Sequence, residues 1–302
     1  MKVFYELTHT ACDCAIMRNH HSYDVMYPTW DESGRPKPKN VRLVGAPEGQ
    51  YDLAVVGFER GFGLMRNLHV PIIWKSMVDF GSWPPPRPDI MDRVSAWVAL
   101  CEEGIVRYGL TGHPKASYIV PGIDSDVFGG YVGGEARVLS IGNLLPARPE
   151  KGPDLLARVA AKAPVDTVGI QNEGLPNVRV LPVASSLENL ASIYRKYRVY
   201  FNPCGVVCCA LLEAMATGMA VVTMRPHNFI PMMEHRENCF IADTEEEAVG
   251  HIELLLKNGG IARDVGKRAR ETVQYQFHPA LVGDRWGRLM ERVVEEFKTG
   301  RK

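Results

Sequence analysis

Short apolar runs bounded by polar, glycine or proline positions recur along the whole chain, and their lengths and order predict a parallel α/β architecture. In the first half, residues 2–7, 41–44, 53–57, 71–74, 97–100 and 117–120 read as strands, and 63–68, 90–94 and 102–108 as helices. Few of the connections are long enough for full crossover helices, so a reduced Rossmann-like sheet is expected there. The second half alternates more regularly. Strands are predicted near 138–141, 167–170, 178–181, 199–201, 220–223 and 239–241, and helices at 153–162, 187–196, 209–217, 245–256 and 261–275, which is a doubly wound pattern. A last amphipathic helix over 280–297 carries Leu281, Trp286, Leu289, Val293 and Phe297 at helical spacing.

Length and composition narrow the class. A chain of 302 residues holds two domains of roughly 130 to 150 residues, each able to bury a core. Hydrophobic residues make up 46%, which argues against disorder, and Lys plus Arg equals Asp plus Glu at 35 each, so no whole-chain basic footprint announces nucleic acid. The opening MKVFYELTHTACDC is strand-like, without the apolar stretch and cleavage site of a signal peptide, and no apolar run approaches bilayer length. A cytoplasmic location is expected. Of 7 cysteines, Cys12 and Cys14 lie one residue apart and Cys208 adjoins Cys209. Neither arrangement has the paired spacing of a structural zinc site, so reduced thiols serving as small apolar residues are expected. Gly122, Gly129, Gly130, Gly133 and Gly134 crowd between 121 and 135 and mark an expected linker that lets two domains reorient. WPPPRP, at 83–88, reads as a rigid loop.

The most informative segment is YFNPCGVVCCALLEAMATGMAVV, residues 200–222. A buried strand, a loop through Pro203 and Gly205, a helix carrying Glu213, a stop at Gly218 and a second apolar strand make a βαβ unit. Such a unit opens its helix at the carboxyl edge of a parallel sheet, where ligands bind, and a carboxylate there is placed to accept hydrogen bonds from a ribose diol. An amphipathic helix with one exposed Glu is the alternative reading of the same spacing.

LLEAMATGMAVV resembles the signature of family 4 glycosyltransferases, retaining enzymes of the GT-B fold, in which a Glu and seven residues precede Glu-Ala-Met-Ala-x-Gly-x-Pro-Val-Val. Glu213, Ala214, Met215, Ala216, Gly218, Val221 and Val222 match, Ala220 replaces the Pro, and Gly205 stands where the first Glu belongs. RVLSIGNLLPARPEKGPDLLARVAA, residues 137–161, resembles the opening of that family's C-terminal domain. Lys151 and Gly152 fit its Lys-Gly, Asn143 replaces an Arg, and Arg148 lies in the same loop. YIVPGIDSDVF, residues 118–128, resembles its interdomain segment.

The resemblance implies an α/β fold of two Rossmann-like domains facing a central cleft. Residues 1–128 would form the acceptor side and 135–279 the nucleotide-sugar side, with a helix at 280–302 packing back on the first domain. It implies transfer of a sugar from a nucleoside diphosphate sugar, with retention as the family's outcome, with that donor as substrate and no cofactor. Glu213 would bind the ribose, and Lys151 and Arg148 would stabilise the departing diphosphate, helped by backbone N–H groups of Val206, Val207 and Cys208. Asn143, Gly205, Arg225, His227 and Asn228 would line the donor, and His9 and Asp79, at strand ends of the first domain, would serve the acceptor side with Thr8, Thr10, Lys75 and Ser76. No Asp-x-Asp motif sits at an expected cleft strand end, so metal-independent transfer is expected.

Several readings stay open. The missing Glu at Gly205 and the missing Arg at Asn143 suit a non-catalytic nucleotide-binding relative. A nucleotide-sugar epimerase, an inverting transferase or a DNA-base glycosyltransferase shares the architecture. A NAD-linked dehydrogenase is disfavoured because no Gly-x-Gly-x-x-Gly follows the first strand. The acceptor, whether glycan, lipid, small molecule or nucleic acid, is not written in the chain.

Overall fold

The computed structural model describes residues 1–26, 35–66, 68–76 and 88–300. These divide into one unit of Met1–Gly122 with Phe277–Lys302 and a second of Ile123–Gln276. The first unit runs β1 (Lys2–Glu6), α1 (Thr10–Ile16), β2 (Ser22–Met26), β3 (Val41–Val44), β4 (Leu53–Val56), α2 (Glu59–Met65), β5 (Ile72–Lys75), α3 (Pro88–Met91), β6 (Ala96–Ala99), α4 (Glu102–Arg107) and β7 (Ala116–Tyr118). Its strands form one seven-stranded parallel sheet in the order β3-β2-β1-β4-β5-β6-β7. The expected reduced sheet is therefore corrected to a full one. The missed strand, β2, carries Asp24 in its buried stretch, which breaks the apolar run. Asp24 is tolerated because Arg42 on β3 grips it with two bonds, 2.8 and 2.7 Å, and Tyr51 donates a third at 3.0 Å. β4, β5 and β6 are buried at every position, as in a parallel sheet covered on both faces. Asp79 and most of the proline loop lie outside the described residues.

The second unit runs α5 (Ser125–Phe128), β8 (Glu135–Ile141), α6 (Pro153–Ala160), β9 (Val165–Val168), β10 (Arg179–Leu181), α7 (Leu187–Lys196), β11 (Tyr197–Asn202), α8 (Cys209–Thr217), β12 (Ala220–Met224), β13 (Phe240–Ala242), α9 (Glu245–Lys257) and α10 (Gly259–Gln276). Its six strands are parallel, in the order β10-β9-β8-β11-β12-β13. α7 and α8 have the bounds that the periodicity predicts. α9 covers β8, β11, β12 and β13, while α10 packs on α8 and β12. α8 is thus enclosed, and Leu211 to Thr217 are all buried.

One buried carboxylate ties the sheet together at the end opposite its ligand edge. Asp166 on β9 accepts from Arg137 on β8 (Nε at 2.9 Å), Arg179 on β10 (Nε at 2.9 Å) and Tyr197 on β11 (2.6 Å). Burial works to raise its pKa, but these bonds outweigh burial and hold it at about 2.

The boundary between the two units, Gly122/Ile123, falls inside the expected linker, and the glycines that follow it are tied to the second unit. Arg195 of α7 donates to the carbonyls of Gly129 (2.5 Å) and Val127 (2.6 Å), and its own carbonyl accepts from Val132 and Gly133, both at 2.9 Å. The chain leaves this body at Gln276, and α11 (Pro279–Thr299) joins the first unit, packing on α1. Its buried stripe is Val282, Trp286, Leu289, Met290, Val293 and Val294. Leu281 and Phe297, expected in that stripe, are exposed. No helix among the described residues is long and apolar enough to cross a membrane.

Candidate functional site

Both sheets reverse their strand order beside their first strand, between β1 and β4 and between β8 and β11. Ligands of open α/β sheets bind at the carboxyl ends of strands flanking such a reversal. In the second unit those strand ends lead into 142–152 and 203–208, the loops singled out from the motifs.

The first loop folds as two 3-10 turns, Leu145–Ala147 and Pro149–Lys151. It ends at Gly152, whose φ of 70° is left-handed and whose missing Cβ would lie 2.5 Å from the Pro203 carbonyl oxygen. Only glycine satisfies both conditions, and it lets the half-buried Lys151 lie beside the 203–208 loop. Arg148 is different. Its Nε donates to Glu150 at 2.7 Å, and Arg148 in turn holds the Glu150 carboxyl below its ordinary pKa. Its charge is largely matched within the loop. Asn143 accepts from the Ile170 N–H at 2.9 Å, so this residue pins the exit of β8 to the exit of β9 and brings no charge.

In the second loop, the buried Asn202 amide lies 2.7 Å from the Cys204 carbonyl, 3.0 Å from that of Val206 and 3.0 Å from Thr223 Oγ1, which sets the backbone curve. Gly205 sits against the next loop. A Cβ there would approach the Arg225 carbonyl to 2.7 Å, and the Gly205 carbonyl accepts from the His227 N–H at 3.0 Å. Asn228 grips Val207 on both sides, accepting from its N–H at 2.7 Å and donating to its carbonyl at 3.1 Å. Two expectations are corrected here: the Val207 N–H is already used, and Asn228 is a buried clamp rather than a donor contact. Arg225 forks onto Asp243 through two 2.5 Å bonds, so its guanidinium is committed to a carboxylate, while His227 is exposed.

Cys208 opens α8 without a side-chain cap hydrogen bond. Glu213 is 4% exposed, which excludes the surface glutamate of an ordinary amphipathic helix. Its Oε2 lies 3.1 Å from the hydroxyl of Tyr194 on α7, which also reaches the Ala210 carbonyl at 2.9 Å. Burial, followed by the charge of Glu213, pushes the Tyr194 phenol well above its ordinary pKa and keeps it a donor. Tyr194 was not legible as a site residue because it sits on the inner stripe of α7, like any core aromatic.

In the first unit His9 is exposed and opens α1. The chemistry gathers beneath it. Asp13 Oδ2 accepts from the N–H groups of Thr8 (2.8 Å) and His9 (3.1 Å), and Oδ1 pairs with the fully buried Lys75. Asp13 escaped the sequence reading because α1 is one short helix of small residues. Glu6, also buried, accepts from the N–H groups of Gly57 (3.0 Å), Phe58 (2.9 Å) and Gly61 (3.0 Å), so the start of α2 is already occupied by a carboxylate of the protein itself. Burial raises its pKa, and the three N–H groups oppose that rise.

Residues 130–272 match the family described as glycosyl transferases group 1. A comparison of the sequence with curated proteins finds no match. Among solved structures, HepE from Anabaena in complex with UDP-glucose is similar at a TM-score of 0.74 and 13% identity, over 97% of this chain and 100% of that one. A sucrose-phosphate synthase from Thermosynechococcus elongatus reaches 0.72 at 12% identity, over 97% and 98% of the two chains. A glycosyltransferase from Rickettsia africae reaches 0.71 at 10% identity, over 97% and 98%. At these identities the structural likeness establishes the fold.

Proposed function

We propose that this protein, a glycosyltransferase of the GT-B fold whose residues 130–272 match the glycosyl transferases group 1 family, binds a nucleoside diphosphate sugar in its second unit and releases the nucleoside diphosphate with retention at the transferred sugar. The observation that carries this reading is the convergence on one switch point of a buried, Tyr194-held Glu213, the uncapped start of α8 and Lys151. Glu213 would accept from the ribose diol. The first-turn N–H groups of α8 and the ammonium of Lys151 would bear the charge that grows on the leaving diphosphate. UDP-glucose, the ligand of the HepE complex, is the first donor to test. Incubation with a panel of nucleoside diphosphate sugars should release the nucleoside diphosphate from at least one of them, the sugar passing to an acceptor or to water. Donor binding without release across a broad donor and acceptor panel would support the second reading, a non-catalytic nucleotide binder. That reading is favoured by Gly205, by the clamp role of Asn143 and by the pairing of Arg225 with Asp243.

Glu213→Ala is expected to weaken UDP binding by about 1 to 3 kcal/mol, the scale of hydrogen bonds to a charged group. Glu213→Gln should keep the contact with Tyr194 and much of the stability while losing most of the affinity. Calorimetry showing wild-type affinity for both variants would remove Glu213 from the donor site.

Gly205→Glu restores the residue type of the resembled motif, yet it should not raise the rate. The new Cβ would meet the Arg225 carbonyl, and fixed backbone yields only by moving the whole loop. A fall in thermal stability with unchanged or lower turnover is expected. A faster enzyme of wild-type stability would contradict this geometry.

A further inference from the structure

We propose that His20, His21 and Glu291 form a binding site for a divalent transition-metal ion of the zinc type, which fastens α11 to the loop between α1 and β2. The donor atoms of these three residues all lie within 4.8 Å of one another. Glu291 Oε1 is 3.1 Å from His20 Nε2 and 3.7 Å from His21 Nε2. Two ligands of a tetrahedral ion bound at about 2.0 to 2.1 Å sit about 3.3 Å apart, so these separations already approximate two edges of a zinc tetrahedron. Two imidazoles and one carboxylate are also a donor set that suits zinc, with a position left for water.

The second, independent observation is His21 itself. Its side chain is 1% exposed, and neither ring nitrogen makes a hydrogen bond of ordinary geometry, although the Gly287 backbone lies close enough to act on the ring. A buried imidazole left in that state is costly, and buried polar atoms without partners call for an explanation. A surface ion pair between His20 and Glu291 would account for those two residues and leave His21 unexplained. An ion on Nε2 would engage all three residues at once.

The backbone around the ligands is held in place before any ion arrives. Asn19 Oδ1 accepts from the His21 N–H at 3.0 Å and from the Tyr23 hydroxyl at 3.0 Å. The Asn40 amide lies 2.7 Å from the His21 carbonyl and 3.2 Å from that of Asn19. On α11, the helix surface closes over this loop at Gly283, where a Cβ would strike the Arg18 carbonyl at 2.3 Å. His20 and Glu291 are 75% and 48% exposed, so an ion has a path from solvent. Loop and helix belong to the same unit, and the proposed site is independent of the donor chemistry in the other one.

The test is a titration of the metal-free full chain with cobalt(II), followed by visible absorption, alongside thermal melts with and without zinc sulfate. One cobalt per chain should give the strong d–d bands of a low-coordinate nitrogen and oxygen site, zinc should displace it, and zinc should raise the melting temperature. His20→Gln and Glu291→Gln change exposed side chains and should melt like wild type without metal. Each should bind cobalt more than about tenfold more weakly, a loss that even outer-shell partners can produce, and should lose the zinc-dependent shift. Absence of d–d bands in wild type, equal binding by both variants, or a thiolate-to-cobalt charge-transfer band placing the ion on cysteines would each overturn the proposal.

Discussion

Lys151→Ala is expected to lower turnover by about two to three orders of magnitude, the cost of removing one preorganised charge-stabilising group, while leaving the acceptor KM near wild type. The charge on the departing diphosphate grows as the glycosidic bond breaks, so an ammonium beside it is worth more in the transition state than in the bound donor. Gly152, through its left-handed backbone and its close approach to Pro203, is what would place Lys151 there under the proposed donor site. Arg148→Ala should cost much less, because Arg148 already shares its charge with Glu150. The double variant should be the most damaged of the three. Equal turnover in wild type and double variant would exclude this loop from catalysis.

Asp166→Ala should destabilise the second unit by about 1 to 3 kcal/mol, the scale of charged hydrogen bonds lost to a buried acceptor, since Arg137 and Arg179 are part-exposed and can turn to water. Arg137, Arg179 and the Tyr197 hydroxyl would all lose their common acceptor. The pH dependence follows from the depressed pKa. The carboxylate sits at about 2 in the folded chain against 3.8 ordinarily. Its contribution is therefore complete above the unfolded value and is lost as the pH falls through the folded one. Urea unfolding of the wild type should weaken across that window, and the variant should lack this part of the acid response. UDP affinity at neutral pH should be retained, because Asp166 lies at the opposite end of the sheet from the donor loops. Equal urea midpoints for the two proteins at neutral pH would refute the role.

The readable and unreadable parts of the chain separate by the range of the interactions behind them. α7 and α8 were legible to the residue, since an apolar stripe, a polar boundary and Gly218 are local signals. β2 was not, because Asp24 inside it is made tolerable by Arg42, 18 residues away. α1 was missed for a different reason: it is a single short run of small residues without periodicity, and with it went Asp13, which binds Lys75 across 62 positions.

The candidate site divides in the same way. Sequence by itself determined a parallel α/β chain with a doubly wound second half, a βαβ unit presenting Glu213 in its helix, and a Lys-Gly loop at a helix start. Those features rest on periodicity, turn residues and spacing, which neighbouring positions carry among themselves. Only the tertiary structure decided that Glu213 is buried against Tyr194, 19 positions earlier, and that Asn228 spends itself on Val207, 21 positions away. It also decided that Gly205 faces a backbone wall and that Arg225 is committed to Asp243. A polar side chain looks the same in the sequence whether it meets a ligand, a backbone amide or another charge. Which partner it meets is settled when the sheet order brings the loops of distant strands together at one edge.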